Sequence, residues 1–295
     1  MDERTALAML AERLPDAGDD AAVVDGLVLT TDMLHERTDF PDGTTRYTAG
    51  WRAVGASLSD VAAMGAEAVA AVAVYGAPAF EAADLGAFVD GACDVCATVG
   101  ASYVGGDLDD HAEFTVATTA LGRTDAPVRR SGASPGDGVY VTGTLGRSGA
   151  ALRYFQRGDR ERANDLFRFR PRVAAGVALG DVATSMMDSS DGLARSLHQL
   201  AAASDVGFAV ETPLPVDETV DAVATDADDR RELAISFGED FELVFTARPA
   251  DVDAVRGDLD VAVTRIGTVT DPGDDPVTLD GAPLADEGYT HGRTG

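Results

Sequence analysis

A chain of 295 residues, 45% of them hydrophobic, is long enough for two ordinary domains with a core in each. Its 51 acids against 23 bases leave a formal net charge of -28; every base is Arg, 38 of the acids are Asp, and Lys is absent. Such a charge repels nucleic acid and anionic lipid, and the missing Lys excludes the usual P-loop mechanism.

At roughly 1 M ionic strength the Debye length falls to about 3 Å, so a dense carboxylate coat stops repelling itself and keeps the protein hydrated. A salt-loving host is the expectation. The first twenty residues lack a basic region followed by an apolar one, and no uninterrupted apolar run reaches the length of a bilayer. A cytoplasmic protein with no nucleic-acid or membrane partner is expected.

Apolar alternation and turn signals predict strands over residues 27–31, 69–75, 102–104, 114–121 and 139–142, with helices between several of them. The clearest helix covers 49–66. There Val54, Leu58, Val61 and Gly65 follow helical spacing, while Ala53, Ala56, Ser57, Asp60 and Ala63 form a neighbouring face of small residues that permits a close approach. Residues 82–99 repeat the helical pattern and hold both cysteines, Cys93 and Cys96. This lone CxxC has no second pair to complete a zinc shell and no thioredoxin-like setting, so both read as small buried helix residues. Between Gly122 and Gly138 an aperiodic segment rich in Arg, Ser, Gly and Pro reads as a crossing between domains, dividing the chain into 1–128 and 129–295. Beyond it come a helix from Ser148, another from Pro171, a strand at 184–187, a helix from Asp191, and strands near 242–246 and 261–268. The stretch from Asp271 is rich in Asp, Gly and Pro and reads either as a mobile tail or as a segment folded over a site.

With so many Asp, position has to discriminate. Salt-adaptive Asp belongs in polar runs such as Asp226, Asp228 and Asp229. By contrast, Asp32, Asp107 and Asp188 end apolar or glycine-rich runs that read as strands, Asp60 lies among Leu58, Val61 and Met64, and Asp19 and Asp20 precede the apolar 21–24. In α/β proteins the carboxyl ends of strands open onto the ligand crevice, so these acids are expected to meet there. Two unit charges about 4 Å apart repel by about 4 kcal/mol at an effective dielectric near 20, so several converging carboxylates need cations. Carboxylates with the hydroxyls of Thr30, Thr31 and Ser190 select hard ions, and magnesium bridging to phosphate is the common case.

Two further elements stay open. Ser190 or Asp191 can cap the helix that follows, either as an ordinary cap or beside an anion site. Gly143, Gly146 and Gly149 form a strand-to-helix turn that reads as a phosphate loop or a structural turn and matches neither a Walker A nor a dinucleotide fingerprint. Without Lys, Arg130 or Arg147 would have to neutralise nucleotide phosphates. His35, His111, His198 and His291 show no ligand or triad spacing.

Seven segments taken in order carry a resemblance over nearly the whole chain: Gly18-Asp-Asp-Ala-Ala, Thr30-Thr-Asp-Met-Leu, Leu58-Ser-Asp-Val-Ala-Ala-Met-Gly-Ala, Gly105-Gly-Asp, Arg130-Ser-Gly-Ala-Ser-Pro-Gly-Asp, Asp188-Ser-Ser-Asp-Gly-Leu and Gly238-Glu-Asp-Phe-Glu-Leu. In that order they resemble the thiamine-monophosphate kinase family. The resemblance implies the fold shared with aminoimidazole ribonucleotide synthetase: an N-terminal α/β domain whose sheet pairs across a homodimer, and a C-terminal α+β domain. It implies transfer of the γ-phosphoryl group of ATP to thiamine monophosphate, with several magnesium ions and with potassium as a further candidate ion. It also implies roles: Asp20, Thr30, Thr31, Asp32, Asp60, Asp107, Asp188 and Asp191 as metal ligands; Gly106, Asp107, Arg130 and Ser190 as nucleotide contacts; Glu239 as a substrate contact.

Two positions depart from the family's pattern. Asp39 stands where a His is usual and Asp286 where an aromatic is usual, both facing substrate in the family. The thiazolium is cationic, so an Asp can replace an aromatic contact by charge attraction. Rival readings are another member of the superfamily, such as aminoimidazole ribonucleotide synthetase or selenophosphate synthetase, or a noncatalytic acidic metal-binding protein. Selenophosphate synthetase calls for a Cys or selenocysteine and a Lys near the N-terminus, which residues 1–20 lack.

Overall fold

The helix Arg46–Ala63 organises the molecule, and its sequence explains how. Thr45 caps its first turn by accepting from the Thr48 amide. Gly65, at φ +66°, ends it in a Schellman turn, with the Gly65 amide on Ala62 O and the Ala66 amide on Val61 O. One stripe, Val54, Leu58, Val61 and Met64, packs on Val28, Ala71 and Ala120 of the first sheet. Its last turn, Ala62 and Ala63, instead enters the core beneath the second sheet with Tyr140, Met186 and Phe245.

The structure is a computed structural model and describes residues 9–10, 13–14 and 17–288; His291 lies outside them. The first sheet has the order β1(Ala22–Val24)-β2(Leu27–His35)-β5(Thr115–Arg123)-β3(Glu67–Ala77)-β4(Ser102–Asp110), antiparallel except for the parallel pair β3/β4. The second runs β12(Ala282–Pro283)-β11(Val277–Leu279)-β8(Gly207–Val210)-β10(Val263–Thr270)-β6(Gly138–Thr142)-β9(Leu243–Ala247)-β7(Ala183–Asp188), antiparallel except for β11/β8. Its two faces are covered by the helices Leu193–Ser204 and Val173–Leu179.

Backbones touch the central helix at Gly50, Tyr47 and Ala62, not at Ala53, Ala56, Ser57, Asp60 or Ala63, the small residues expected to admit them. A Cβ on Gly50 would stand 2.1 Å from Phe88 O, and one on Gly91 2.0 Å from Tyr47 O, so the helices Arg46–Ala63 and Ala82–Thr98 cross at glycine. On the other side a Cβ on Gly176 would lie 2.2 Å from Ala62 O, which locks the C-terminal half onto the same helix. Of the two cysteines, Cys96 is buried as expected and Cys93 is exposed.

Strand lengths correct one expectation. Asp32 and Asp107 do not end strands: β2 runs on to His35 because β5 pairs with all nine of its residues, and β4 runs on to Asp110 beside β3. Asp188 is the last residue of β7. As far as Gly288, the last described residue, the stretch from Asp271 is not a free tail, since it supplies β11 and β12 and then returns across the turn after β7, where a Cβ on Gly288 would lie 2.4 Å from Asp191 O.

Candidate active site

Asp20 lies in the loop before β1, Thr30 on the inner face of β2, Asp60 near the end of the central helix, and Asp188 at the end of β7. One oxygen from each of Asp20, Asp60 and Asp188 lies within 4.8 Å of the others, a spacing at which carboxylates share a cation. Thr30 Oγ1 donates to Asp60 Oδ2 at 2.5 Å. Asp32, two residues beyond Thr30 and on the same face, accepts from Ser57 Oγ at 2.6 Å, and Ser57 is itself 2.7 Å from Thr118 Oγ1.

The electrostatics follow from crowding like charges in a dry place. Burial raises Asp60 well above the usual carboxylate range, and the charges of Asp32, Asp188 and Asp20 push the same way. Asp188 is pushed up to about 7, by burial and then by Asp20. Burial raises Asp32 as well. Asp188 Oδ2 and Ser189 Oγ are buried without a hydrogen-bond partner, and Ser59 Oγ, though near enough to Asp188 to hold its pKa down somewhat, makes no well-formed bond either. Such atoms are nearly always satisfied, so converging carboxylates beside orphaned oxygens fit a hard, oxygen-seeking cation.

Arg130 closes one side of this cage. Its Nη2 and Nε meet Asp20 Oδ1 and Oδ2 at 2.9 and 3.2 Å, a fork-to-fork pair. Its amide donates to Asp19 Oδ1 at 2.9 Å, and Asp19 Oδ2 holds Arg129 Nη1 at 2.6 Å. Burial alone would lower the guanidinium's pKa, but Asp20 outweighs it and holds Arg130 above its ordinary value.

Other candidates stand elsewhere. Thr31, on the opposite face of β2, donates to Thr118 O at 2.9 Å. Gly106 and Asp107 lie on the edge strand β4, where a Cβ on Gly106 would be 1.7 Å from Ala73 O, so only glycine fits, and Asp107 Oδ1 accepts from the Leu108 amide. Neither is among the converging oxygens. Arg147 turns to Leu166 O and Asp165 O. The residue capping the helix Leu193–Ser204 is Gly192, at φ +103° and with no side-chain cap bond, rather than Ser190 or Asp191. The glycine turn proves structural: Asp240 occupies the start of the helix Arg147–Arg157, accepting from the Gly146 amide at 2.5 Å and the Ser148 amide at 3.0 Å. No amide of that pair is left for a phosphate.

The Gly238–Leu243 segment binds to the 188–192 turn. Gly238, Glu239 and Phe241 take left-handed φ values of +81°, +60° and +53°, and the amides of Glu239 and Phe241 donate to Ser190 O and Ser189 O at 2.6 and 3.3 Å. The two turns, far apart in sequence, are thereby fixed against each other. Beside them opens a cavity of about 350 Å³ lined by Asp39, Leu152, Phe167, Phe237, Glu239 and Gly288, among others. Asp39 Oδ2 accepts from the His35 amide at 2.6 Å and Thr38 Oγ1 at 2.8 Å. Asp286 pairs with the buried Arg195 at 2.5 Å.

Sequence reasoning passed over three residues that meet this site: Arg52, Ser59 and Asp240. A signal existed for the first, because Arg52 is the one base inside an otherwise small and apolar stretch of helix, and a base there has to find a buried partner. Arg52 is 1% exposed and finds Glu239 Oε2 at 2.8 Å.

Comparison with known proteins agrees with this construction. Residues 18–124 match the family model described as AIR synthase related protein, N-terminal domain, and residues 134–280 its C-terminal domain. The chain is 62% identical over 292 residues to the thiamine-monophosphate kinase of Halobacterium salinarum, covering 99% of this chain and 100% of that one. It is 42% identical over 283 residues to that of Methanospirillum hungatei, covering 92% of each. Among solved structures, AaThiL complexed with AMPPCP and TMP superposes with a TM-score of 0.89 at 27% identity, over 98% of this chain and 97% of that one. The thiamine-monophosphate kinase of Stenotrophomonas maltophilia does so with a TM-score of 0.81 at 31% identity, over 95% and 96%. With family models matching both halves of the chain and a relative 62% identical over its whole length, the chain belongs to the thiamine-monophosphate kinase family.

Proposed function

We propose that this protein transfers the γ-phosphoryl group of ATP directly to the phosphate of thiamine monophosphate, giving thiamine diphosphate, in the cytoplasm. The observation that carries this reading is the convergence of Asp20, Asp60 and Asp188, with orphaned buried oxygens among them, joined through the turn after Asp188 to Glu239, which lines a cavity that also presents Asp39. Asp20, Asp60 and Asp188, with Thr30 and Asp32 beside them, are the residues that would hold magnesium at the cage; Thr31 and Asp107, which stand outside it, and Asp191 are assigned to metal on the family resemblance alone, with potassium a further candidate ion. Bound there, magnesium supplies positive charge against which two phosphates can approach and a loose transition state can form.

The remaining work falls to the chain itself. Gly106, Asp107, Arg130 and Ser190 are assigned to the nucleotide, Arg130 because it already presents a planar fork at the cage's edge. Asp39, Glu239 and Asp286 are assigned to the acceptor, whose thiazolium is cationic. Two carboxylates on the wall of one cavity attract such a ring, and Phe167 and Phe237 give it apolar faces. The acceptor phosphate has a second pKa near 6 and is already ionised at neutral pH, so no general base is required. Positioning does the rest.

A homodimer through the first sheet is part of the same reading. Leu29, Met33, Val72, Val74 and Val104 are exposed on its strands, and β4 is an open edge. Exposed edges and apolar faces of this kind are ordinarily covered by a partner. The division into domains 1–128 and 129–295 places the whole first sheet in one part and the whole second sheet in the other.

Incubation with ATP, magnesium and thiamine monophosphate in molar salt, followed by detection of thiamine diphosphate through its fluorescent oxidation product, tests the reading. Product is expected only with all three present. Turnover undiminished after chelation of divalent ions would overturn it.

A further inference from the structure

We infer that Arg52 is a positioning residue for the acceptor, acting through Glu239; this rests on the acceptor assignment above. Its guanidinium is buried inside the interface between the central helix and the second half of the chain, and every contact it makes there is directional. Nη2 donates to Glu239 Oε2 at 2.8 Å and to Glu239 O at 3.1 Å, and Nη1 donates to Phe167 O at 2.7 Å. Ser148 Oγ lies 3.4 Å from Nη1 and donates to Glu239 O at 2.6 Å. The guanidinium carbon stands 3.6 Å over the Phe167 ring, with Phe169 and Phe241 each at 5.4 Å.

Two of the residues that Arg52 grips, Phe167 and Glu239, line the cavity that also presents Asp39. Glu239 is held in a left-handed backbone conformation that an L residue rarely adopts, so its carbonyl and carboxylate need external partners to keep their aim. Arg52 supplies a partner to each with one nitrogen. The pair engages Oε2, leaving Oε1 for a ligand, and the cation offsets one of the two carboxylates on the cavity wall. Arg52 also shares its helix with Asp60, eight residues and about 12 Å further along. The helix that carries a cage carboxylate therefore also fixes the acceptor wall, which sets the distance between the two substrates.

The test varies ATP and thiamine monophosphate separately in Arg52→Gln, Arg52→Lys, Glu239→Gln and the double variant Arg52→Gln/Glu239→Gln. For Arg52→Gln the acceptor KM is expected to rise about tenfold or more while the ATP KM stays within about twofold, and Arg52→Lys, which restores the charge but not the fork or the stacking on Phe167, is expected to recover only part of that loss. Because Arg52 acts through Glu239, the double variant is expected to match Glu239→Gln in acceptor KM. Should Arg52→Gln alone fail to fold, the double variant, which removes both charges together, carries the same comparison. An acceptor KM unchanged in Arg52→Gln, equal rises in both KM values, or a further full loss in the double variant would overturn the proposal. A wild-type protein inactive on thiamine monophosphate would instead overturn the acceptor assignment beneath it.

Discussion

Asp188 shows how a single carboxylate can be a liability to the metal-free fold and an asset to the loaded one. Its pKa is pushed up to about 7, as is that of Asp240, in both cases chiefly by burial. An acid whose pKa is higher in the folded protein than its ordinary 3.8 binds a proton more tightly there. Its stabilising contribution is complete below pH 4 or so and is lost as the pH rises through about 7. Thermal unfolding in molar salt with divalent ions removed should therefore show a midpoint that falls between about pH 4 and pH 8. Magnesium should restore it at the upper end, since an ion that binds only the folded, ionised cage stabilises that state. Asp188→Asn should flatten the metal-free slope and lower turnover by about 10² or more while remaining folded. A variant with near-normal turnover would remove Asp188 from the reaction.

At the scale of elements, the central helix is wedged between the backbones of two other helices, and glycine is what admits them. Gly91 is the sharpest case, because an added Cβ would meet Tyr47 O at 2.0 Å and the Trp51 amide at 2.9 Å, neither of which can swing aside. Alanine is worth about 1 kcal/mol more than glycine in a free helix, yet overpacking of a closed contact costs about 1–3 kcal/mol. Gly91→Ala is expected to destabilise on balance, seen as a lower midpoint in guanidinium with an unchanged slope. Gly86, on the same helix with nothing within 4 Å of its absent Cβ, is the control, and Gly86→Ala should stabilise. The helix was legible from Val54, Leu58 and Val61, whereas the close approaches fall at Gly50, Tyr47 and Ala62 rather than on the small face read from the sequence. Which backbones approach, Phe88 on one side and Gly176 on the other, was not legible, because contact between segments far apart in sequence leaves no local pattern.

Charge governs the whole molecule. A formal net charge of -28 on 295 residues stores repulsion that dilute buffer does not screen, and most of those acids decorate exposed positions. The melting temperature is expected to rise by many degrees between low salt and molar potassium chloride, and sedimentation should show the chain passing toward a dimer over the same range as repulsion between copies is screened. A midpoint indifferent to salt would mean that the acidic coat has some other purpose. Among the described residues no helix is long and apolar enough to cross a membrane.

The order of short acidic and glycine-rich segments was enough to indicate the family, and apolar periodicity was enough to find the strands and the central helix, since both are local properties of the chain. Strand ends were misjudged at Asp32 and Asp107 because pairing with β5 and β3, not local composition, decides how far β2 and β4 extend. Tertiary structure alone brought Asp20, Asp60 and Asp188 together from positions 40 and 128 residues apart, gave the glycine turn to Asp240 rather than to a phosphate, and set Arg52 against Glu239. The reason is physical: a carboxylate's neighbours are chosen by how helix and sheets pack, and burial with like charges appears only once they have.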